Sequence, residues 1–274
     1  MASEKKYHIG FGADDLDGVE IALLSGDPER AAKIAGRAKD PAENKYLECE
    51  RELSTVRGLN SYIARFPDGK RVVSATSGMG APSLSIVVNE LAAVGIRQII
   101  RVGTTGSIQP DVHAGSVVIS RAALCRQGAA DDIAPKEYPA AANPFLTVAL
   151  VEAARKLGAD WHIGVTASVD TFYEGQGRSD TSFNKHLQPW LNDIETQYQH
   201  LGILNFEMEA GTLFKMGGVY GLATACICAV IAERTQAEAI DEERKKIAEE
   251  NAIRIALQAV QDLDATYLDP RYWR

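Results

Sequence analysis

The sequence predicts an α/β fold in which a mixed or mostly parallel sheet carries helices on both sides. Two observations lead there. Short apolar runs recur, each followed by a Gly or polar turn and then a longer segment with helical spacing. No Pro/Gly/Ser-rich or charged linker divides the 274 residues, so the runs read as one domain spanning 1–274. Parallel strands need crossover connections, and the crossing helices bury a face on the sheet. Ligands of such sheets bind beyond the carboxyl ends of the strands, so the turns after strands are where chemistry belongs.

Taken in order, strands are expected at residues 20–25, 61–66, 71–76, 98–102, 116–121, 162–169, 204–207 and 220–232. Helices are expected at 28–35, 81–94, 143–157, 182–200, 210–217 and 241–266. The first helix has the clearest start: Asp27 suits the N-cap and Pro28 the first helical position. The span 178–202 is polar, carries Trp190 behind Pro189, and reads as an excursion that covers a site.

With 46% hydrophobic and 24% charged residues the chain has an ordinary globular composition and enough apolar side chains for a large core. A formal charge of −8 argues against a nucleic-acid or anionic-membrane partner, so any anion must be held locally. The absence of a long apolar run and of an apolar N-terminal stretch leads to the expectation of a cytoplasmic protein. Cys49, Cys125, Cys226 and Cys228 form no CxxC pair and no zinc spacing, and are expected to be reduced and structural.

Five motifs stand at strand ends. Ser25-Gly26-Asp27-Pro28-Glu29-Arg30 combines a helix start, a glycine that admits a ligand to the backbone and an Arg that reaches back, which suits an anion. A capped turn with a surface Arg fits the same residues. Ser77-Gly78-Met79-Gly80-Ala81-Pro82-Ser83 lacks the Lys of a Walker A loop and a full GxGxxG, and serves equally as a tight turn. Arg101-Val102-Gly103-Thr104-Thr105-Gly106 places a guanidinium inside a very apolar strand. That demands either a bound anion such as phosphate or a carboxylate partner.

Asp170-Thr171-Phe172-Tyr173-Glu174-Gly175-Gln176-Gly177-Arg178 offers a stacking face, an amide and a planar cation. Together these suit a heterocycle with two carbonyls and a ring N–H, or else form a solvated loop. Phe206-Glu207-Met208-Glu209-Ala210 turns two carboxylates to one side, fit to accept from sugar hydroxyls. Paired acids also belong to glycosidases, so hydrolysis stays open, although the two arginines favour phosphate over water.

In this order the motifs GDPER, RVGTTGSIQP, VTASVDTFYEGQGR and NFEMEAGTL resemble the nucleoside phosphorylase-I family and, within it, the uridine phosphorylase branch, from about residue 7 to residue 238. The resemblance implies a three-layer α/β/α sandwich around a mixed, barrel-like sheet and a reaction without a catalytic metal or cofactor. Uridine, with deoxyuridine or thymidine as further substrates, is split by phosphate into base and pentose 1-phosphate. A purine phosphorylase of broad specificity and a nucleosidase using water are the alternatives.

It further implies phosphate held by Gly26, Arg30, Arg101 and Thr104, with Arg51 entering from a partner subunit. Ribose is held by Glu207, Met208 and Glu209 with His8 of a partner, and the base by Phe172, Gln176 and Arg178 over Ile231 and Ala232. The catalytic set is Arg101, Gln176, Arg178 and Glu209. The assembly implied is built from dimers, three of them forming a hexamer, with a potassium-like monovalent cation at Glu52, Met79 and Ser83. The Asp that purine-specific relatives carry, in a Ser-Asp pair near the end of the last strand, is missing from Ala229-Val230-Ile231-Ala232-Glu233-Arg234-Thr235. Two departures from the family pattern carry charge: Glu50 beside Arg51, and Glu233, expected to pair with Arg234 or to alter the pocket floor.

Overall fold

The structure, a computed structural model, describes residues 4–235 and 241–264. Its strands are β1 (Ile21–Ser25), β2 (Glu48–Ser54), β3 (Ser61–Arg65), β4 (Arg71–Thr76), β5 (Gln98–Ser107), β6 (Val117–Arg126), β7 (Trp161–Val169), β8 (Ile203–Glu207) and β9 (Ala223–Glu233). The helices are α1 (Pro28–Ile34), α2 (Ala81–Ala93), α3 (Gly128–Asp131), α4 (Pro144–Leu157), α5 (Ile194–His200), α6 (Ala210–Tyr220) and α7 (Glu242–Asp262).

All nine strands join one mixed sheet in the order β2-β3-β4-β1-β5-β8-β7-β6-β9. Because β5 also pairs with β9 in parallel, the stretch from β5 to β9 closes into a barrel, and β1, β4, β3 and β2 extend from it as an open sheet. The three-layer sandwich around a barrel-like sheet is therefore as expected, and strand parity shows why the chain makes it. Ile21 and Leu23 of β1 pack with Ile34 of α1, Leu150 of α4 and Ile255 of α7, whereas Ala22 and Leu24 pack with Val88 of α2 and Phe214 of α6. Both faces of β1 are dry, so its sequence is continuously apolar rather than alternating.

Several boundaries differ from the sequence reading. β5 runs on to Ser107 because Gly103, Thr104, Thr105 and Gly106 line the cleft, which ends the apolar pattern before it ends the strand, and β6 runs on through half-buried residues to Arg126. β2 escaped the reading because it is an edge strand, exposed along most of its length and rich in Glu and Arg. The helix expected over 182–200 is limited to α5; the residues before it contain Pro189 and are irregular except for one short turn. Tyr220 ends α6 instead of opening β9, because Gly221 in the left-handed region terminates the helix there. Residue 238, where the resemblance ends, and residues 265–266 of the expected last helix lie outside the described residues.

Asn143 caps α4, its side-chain oxygen accepting from the N–H groups of Phe145 and Leu146 at 3.0 Å each. Replacing it with Ala should cost about 1 kcal/mol. A lower urea midpoint with unchanged ligand binding is the expected outcome, since Asn143 stands apart from the cleft described next.

Candidate active site

The parallel register gathers the strand ends on one rim. Leu24 of β1 stands opposite Arg101 of β5, and Ser25 stands opposite Thr76 of β4. The turns that follow β1 and β4 therefore meet beside Arg101, and a Cβ on Gly26 would lie 3.3 Å from the Gly78 carbonyl and 3.9 Å from Arg101 Nη1. A cleft of about 870 Å³ opens there. One end is lined by Gly26, Asp27, Arg30, Arg101 and Thr104, the middle by Met208 and Glu209, and the other end by Phe172, Gln176, Arg178, Ile231 and Ala232.

Arg101 has the carboxylate partners that a guanidinium inside an apolar strand demands. Its Nε donates to Glu207 Oε2 at 3.2 Å and its Nη2 to Glu209 Oε2, while its buried Nη1 has no hydrogen-bond partner among the described residues. Burial alone would lower its pKa, but the carboxylates of Glu209 and Glu207 outweigh that and raise it further. Burial pushes the Glu207 carboxyl above the usual carboxylate range, against the pull of Arg101.

Glu207 is fully engaged. It accepts from Ser168 Oγ, from Glu209 N at 2.8 Å and from Ala210 N at 2.8 and 3.0 Å, so it also stabilises the N-terminus of α6. Glu207, expected as a sugar ligand, lines the cleft beside Met208 and Glu209. Glu209 holds Arg101 and accepts from Gly80 N at 2.5 Å, which explains why the Gly78–Gly80 turn belongs to the site. Gln127 Nε2 donates to the Met208 carbonyl at 2.5 Å, and its carbonyl accepts from Thr212, so a buried amide sets the Glu207–Glu209 bend.

At the other end, the Arg178 guanidinium lies 4.2 Å from the centre of the Phe172 ring and donates to Gln176 Oε1 at 3.2 Å through both Nε and Nη2. Arg178 is thus stacked on Phe172 and paired with Gln176, and the three side chains form one cluster. Arg234 supports them: it donates to the Gln176 carbonyl at 2.7 Å, pairs with Glu195 of α5 at 2.9 Å and covers the Phe206 ring. Glu233 does not pair with Arg234 and is not part of the cleft floor. Its carboxylate accepts from Ala114 N at 2.9 Å and sits 3.5 Å from His113 Nδ1, because the end of β9 turns it to the outer side.

His8 and Arg51 are remote from this cleft in the chain. His8 Nδ1 lies 2.7 Å from Glu90 Oε1 in a separate depression with Ile133 and Tyr220. Arg51 projects from the edge strand β2 and pairs with Asp17 at 2.8 Å, and Glu50 beside it is taken up by Arg65 at 3.2 Å. Of the residues expected around a cation, Met79 is 86% exposed at the cleft mouth, Ser83 Oγ donates to the Ser77 carbonyl at 2.6 Å and Glu52 is exposed on β2.

The family model described as the phosphorylase superfamily matches residues 20–261. The chain belongs to the phosphorylase superfamily. Relatives include the uridine phosphorylase of Escherichia coli (strain K12), 40% identical over 96% of this chain and 100% of the relative. The uridine phosphorylase of Thermococcus kodakarensis is 36% identical over 94% of this chain and 86% of its own length. The guanosine phosphorylase of Halorubrum lacusprofundi is 32% identical over 94% and 99%.

In this member of the superfamily the sequence reading missed Arg234 as a site residue, although it follows the apolar strand β9 much as Arg101 is embedded in β5. It also gave the GTTG stretch to phosphate alone. The glycines make room as well: a Cβ on Gly103 would lie 2.9 Å from Arg101 Nη2 and 3.0 Å from Cys228 Sγ, and one on Gly106 would lie 3.2 Å from Arg234 Cδ. Gly103→Ala should therefore displace Arg101, at a cost in stability of about 1–3 kcal/mol. Loss of the rise in melting temperature produced by inorganic phosphate, with the far-ultraviolet dichroism unchanged, is the expected readout.

Proposed function

We propose that this chain is a uridine phosphorylase: inorganic phosphate attacks C1′ of the ribose, the bond to N1 of uracil breaks, and ribose 1-phosphate and uracil leave. The observation that carries the reading is Arg101, whose buried Nη1 faces the Gly26 turn at one end of a cleft whose other end holds the Phe172–Gln176–Arg178 cluster. An anion subsite and a heterocycle subsite therefore flank a sugar-sized middle. The names and near-full-length cover of the relatives support the same reaction.

Gly26, Arg30, Arg101 and Thr104 hold the phosphate and orient one oxygen toward C1′. Glu209 and the Met208 backbone receive the ribose, with Glu207 bracing both Glu209 and Arg101. As the glycosidic bond breaks, negative charge moves onto the base carbonyls. Gln176 and Arg178 meet it there, held by Arg234 before the reaction starts, so stabilisation is aimed at charge present mainly in the transition state. Ile231 and Ala232 line the apolar side of the base.

Two observations support this over the alternatives. Glu207 and Glu209 are both committed to Arg101, which suits neither the acid nor the base of a hydrolase. Glu233, the last residue of β9, is turned to Ala114 and His113 and is not among the residues lining the cleft, which favours a pyrimidine over a purine there. His8 and Arg51 contribute from the partner subunit of a dimer, itself the unit of a hexamer, and a monovalent cation sits at the interface near Glu52, Met79 and Ser83. The protein acts in the cytoplasm; among the described residues no helix is long and apolar enough to cross a membrane.

Uracil release from uridine should require inorganic phosphate, and inosine should not be cleaved. Release without phosphate, or cleavage of inosine instead of uridine, would refute the assignment. Arg101→Ala and Arg178→Ala should each lower kcat/KM by about a hundredfold or more, on the scale of losing one oxyanion donor. An Arg101→Ala enzyme that folds and retains wild-type turnover would remove the phosphate assignment.

A further inference from the structure

Helix α7 forms a wall of the cleft at the phosphate end, where Lys245 and Glu249 stand one turn apart beside Arg30. The buried stripe of this helix, including Ala248, Ala252 and Ile255, packs against the sheet, and these two residues flank it on the cleft side. Glu249 Oε1 accepts from Arg30 Nη2 at 3.0 Å, across 219 positions of sequence. The other terminal nitrogen of Arg30, Nη1, lies 3.5 Å from the Val102 carbonyl on β5.

We infer that Glu249 is a positioning residue for the reaction proposed above: it orients the Arg30 guanidinium over the Gly26 turn and so sets the affinity for phosphate. Three arguments lead there. Arg30 is long and flexible, and one turn of helix separates it from the loop it must address, so its rotamer has to be imposed from outside α1. Glu249 and the Val102 carbonyl engage one N–H on each terminal nitrogen, which leaves Nε and the remaining terminal N–H groups of the fork for an anion. The Arg30 side chain is only 10% exposed, so an anionic partner offsets its desolvation in the absence of substrate.

The reading rests on the phosphorolysis proposed above, and the test separates the two. Glu249→Ala and Glu249→Gln are compared with wild type and with Glu250→Ala. Glu250 neighbours Glu249 on α7, and its ion pair with Lys45 lies away from the cleft, which makes it a control for loosening of the helix. Two readouts are used: KM for phosphate, KM for uridine and kcat by uracil release; and the rise in melting temperature on adding inorganic phosphate, which needs no turnover. Glu249→Ala should raise KM for phosphate roughly tenfold, the scale of one hydrogen bond to a charged group, and diminish the phosphate-induced rise. KM for uridine and kcat should stay within about twofold of wild type, and Glu249→Gln, which keeps an acceptor, should recover part of the loss. Unchanged KM for phosphate in both Glu249 variants overturns the inference, as does an equal rise in both KM values shared with Glu250→Ala. If wild type releases no uracil in the presence of phosphate, the phosphorylase reading fails instead, and the melting-temperature comparison still decides the role of Glu249.

Discussion

A guanidinium buried at the end of a central strand, between two carboxylates, is the constraint on which the site is built. Arg101 lies in the dry layer between the sheet and α2 and α6, where an unpaired charge would be expelled or neutralised. Its pairing with Glu207 and Glu209 explains features scattered through the chain. Ser168 on the neighbouring strand β7 carries a hydroxyl directed at Glu207. The chain bends between β8 and α6 so that backbone N–H groups meet Glu207, and the Gly78–Gly80 turn brings an N–H to Glu209. Gly103 has no side chain because a Cβ there would strike the guanidinium. Removing one member would strand the others, so the cluster behaves as a unit and not as a sum of pairs.

The cluster also governs what the cleft can bind. Two carboxylates already answer the charge of Arg101, yet one edge of the fork stays unmatched and points to a turn without a side chain. A second guanidinium, Arg30, is arranged alike, with one edge held by Glu249 and the rest available. Each arginine is therefore oriented by protein groups before any ligand arrives, and a tetrahedral oxyanion meets donors that need little rearrangement. Water, with no charge to satisfy, gains much less from such an arrangement.

The parts of this design visible in the sequence were the local ones. Asp27-Pro28 announces a helix start within three residues, and an Arg inside Gln98–Val102 announces an anion because the cost of burying it is evident from its neighbours alone. The edge strand β2 was illegible for the opposite reason: its pattern is set by solvent and by Arg–Glu pairing across to β3, not by a buried face. Partnerships that join distant positions were also out of reach. Nothing around Glu249 points to Arg30, and nothing around Glu195 points to Arg234; each is an unremarkable acid on a polar helix face until the register of β1, β5 and β9 brings its partner alongside.

The end of the cleft proposed for the base repeats the logic with weaker anchors, and the difference bears on selectivity. Arg178 and Gln176 lie on a loop, not on a strand, and their order comes from Arg234 at the end of β9, itself tied to Glu195 on α5. The excursion between Arg178 and α5 is fastened where Arg126 stacks on Trp190 and, at the start of α5, where Arg234 meets Glu195, while Phe183 ahead of both is fully exposed. The end proposed for phosphate is thus built into the sheet, whereas the end proposed for the base depends on a chain of arginine contacts running through a loop. Recognition of phosphate should tolerate change in the excursion, and recognition of the base should not. Such a division of labour lets one end of the cleft change without the other, since altering Gln176, Arg178 or their support leaves Arg101 and its carboxylates untouched.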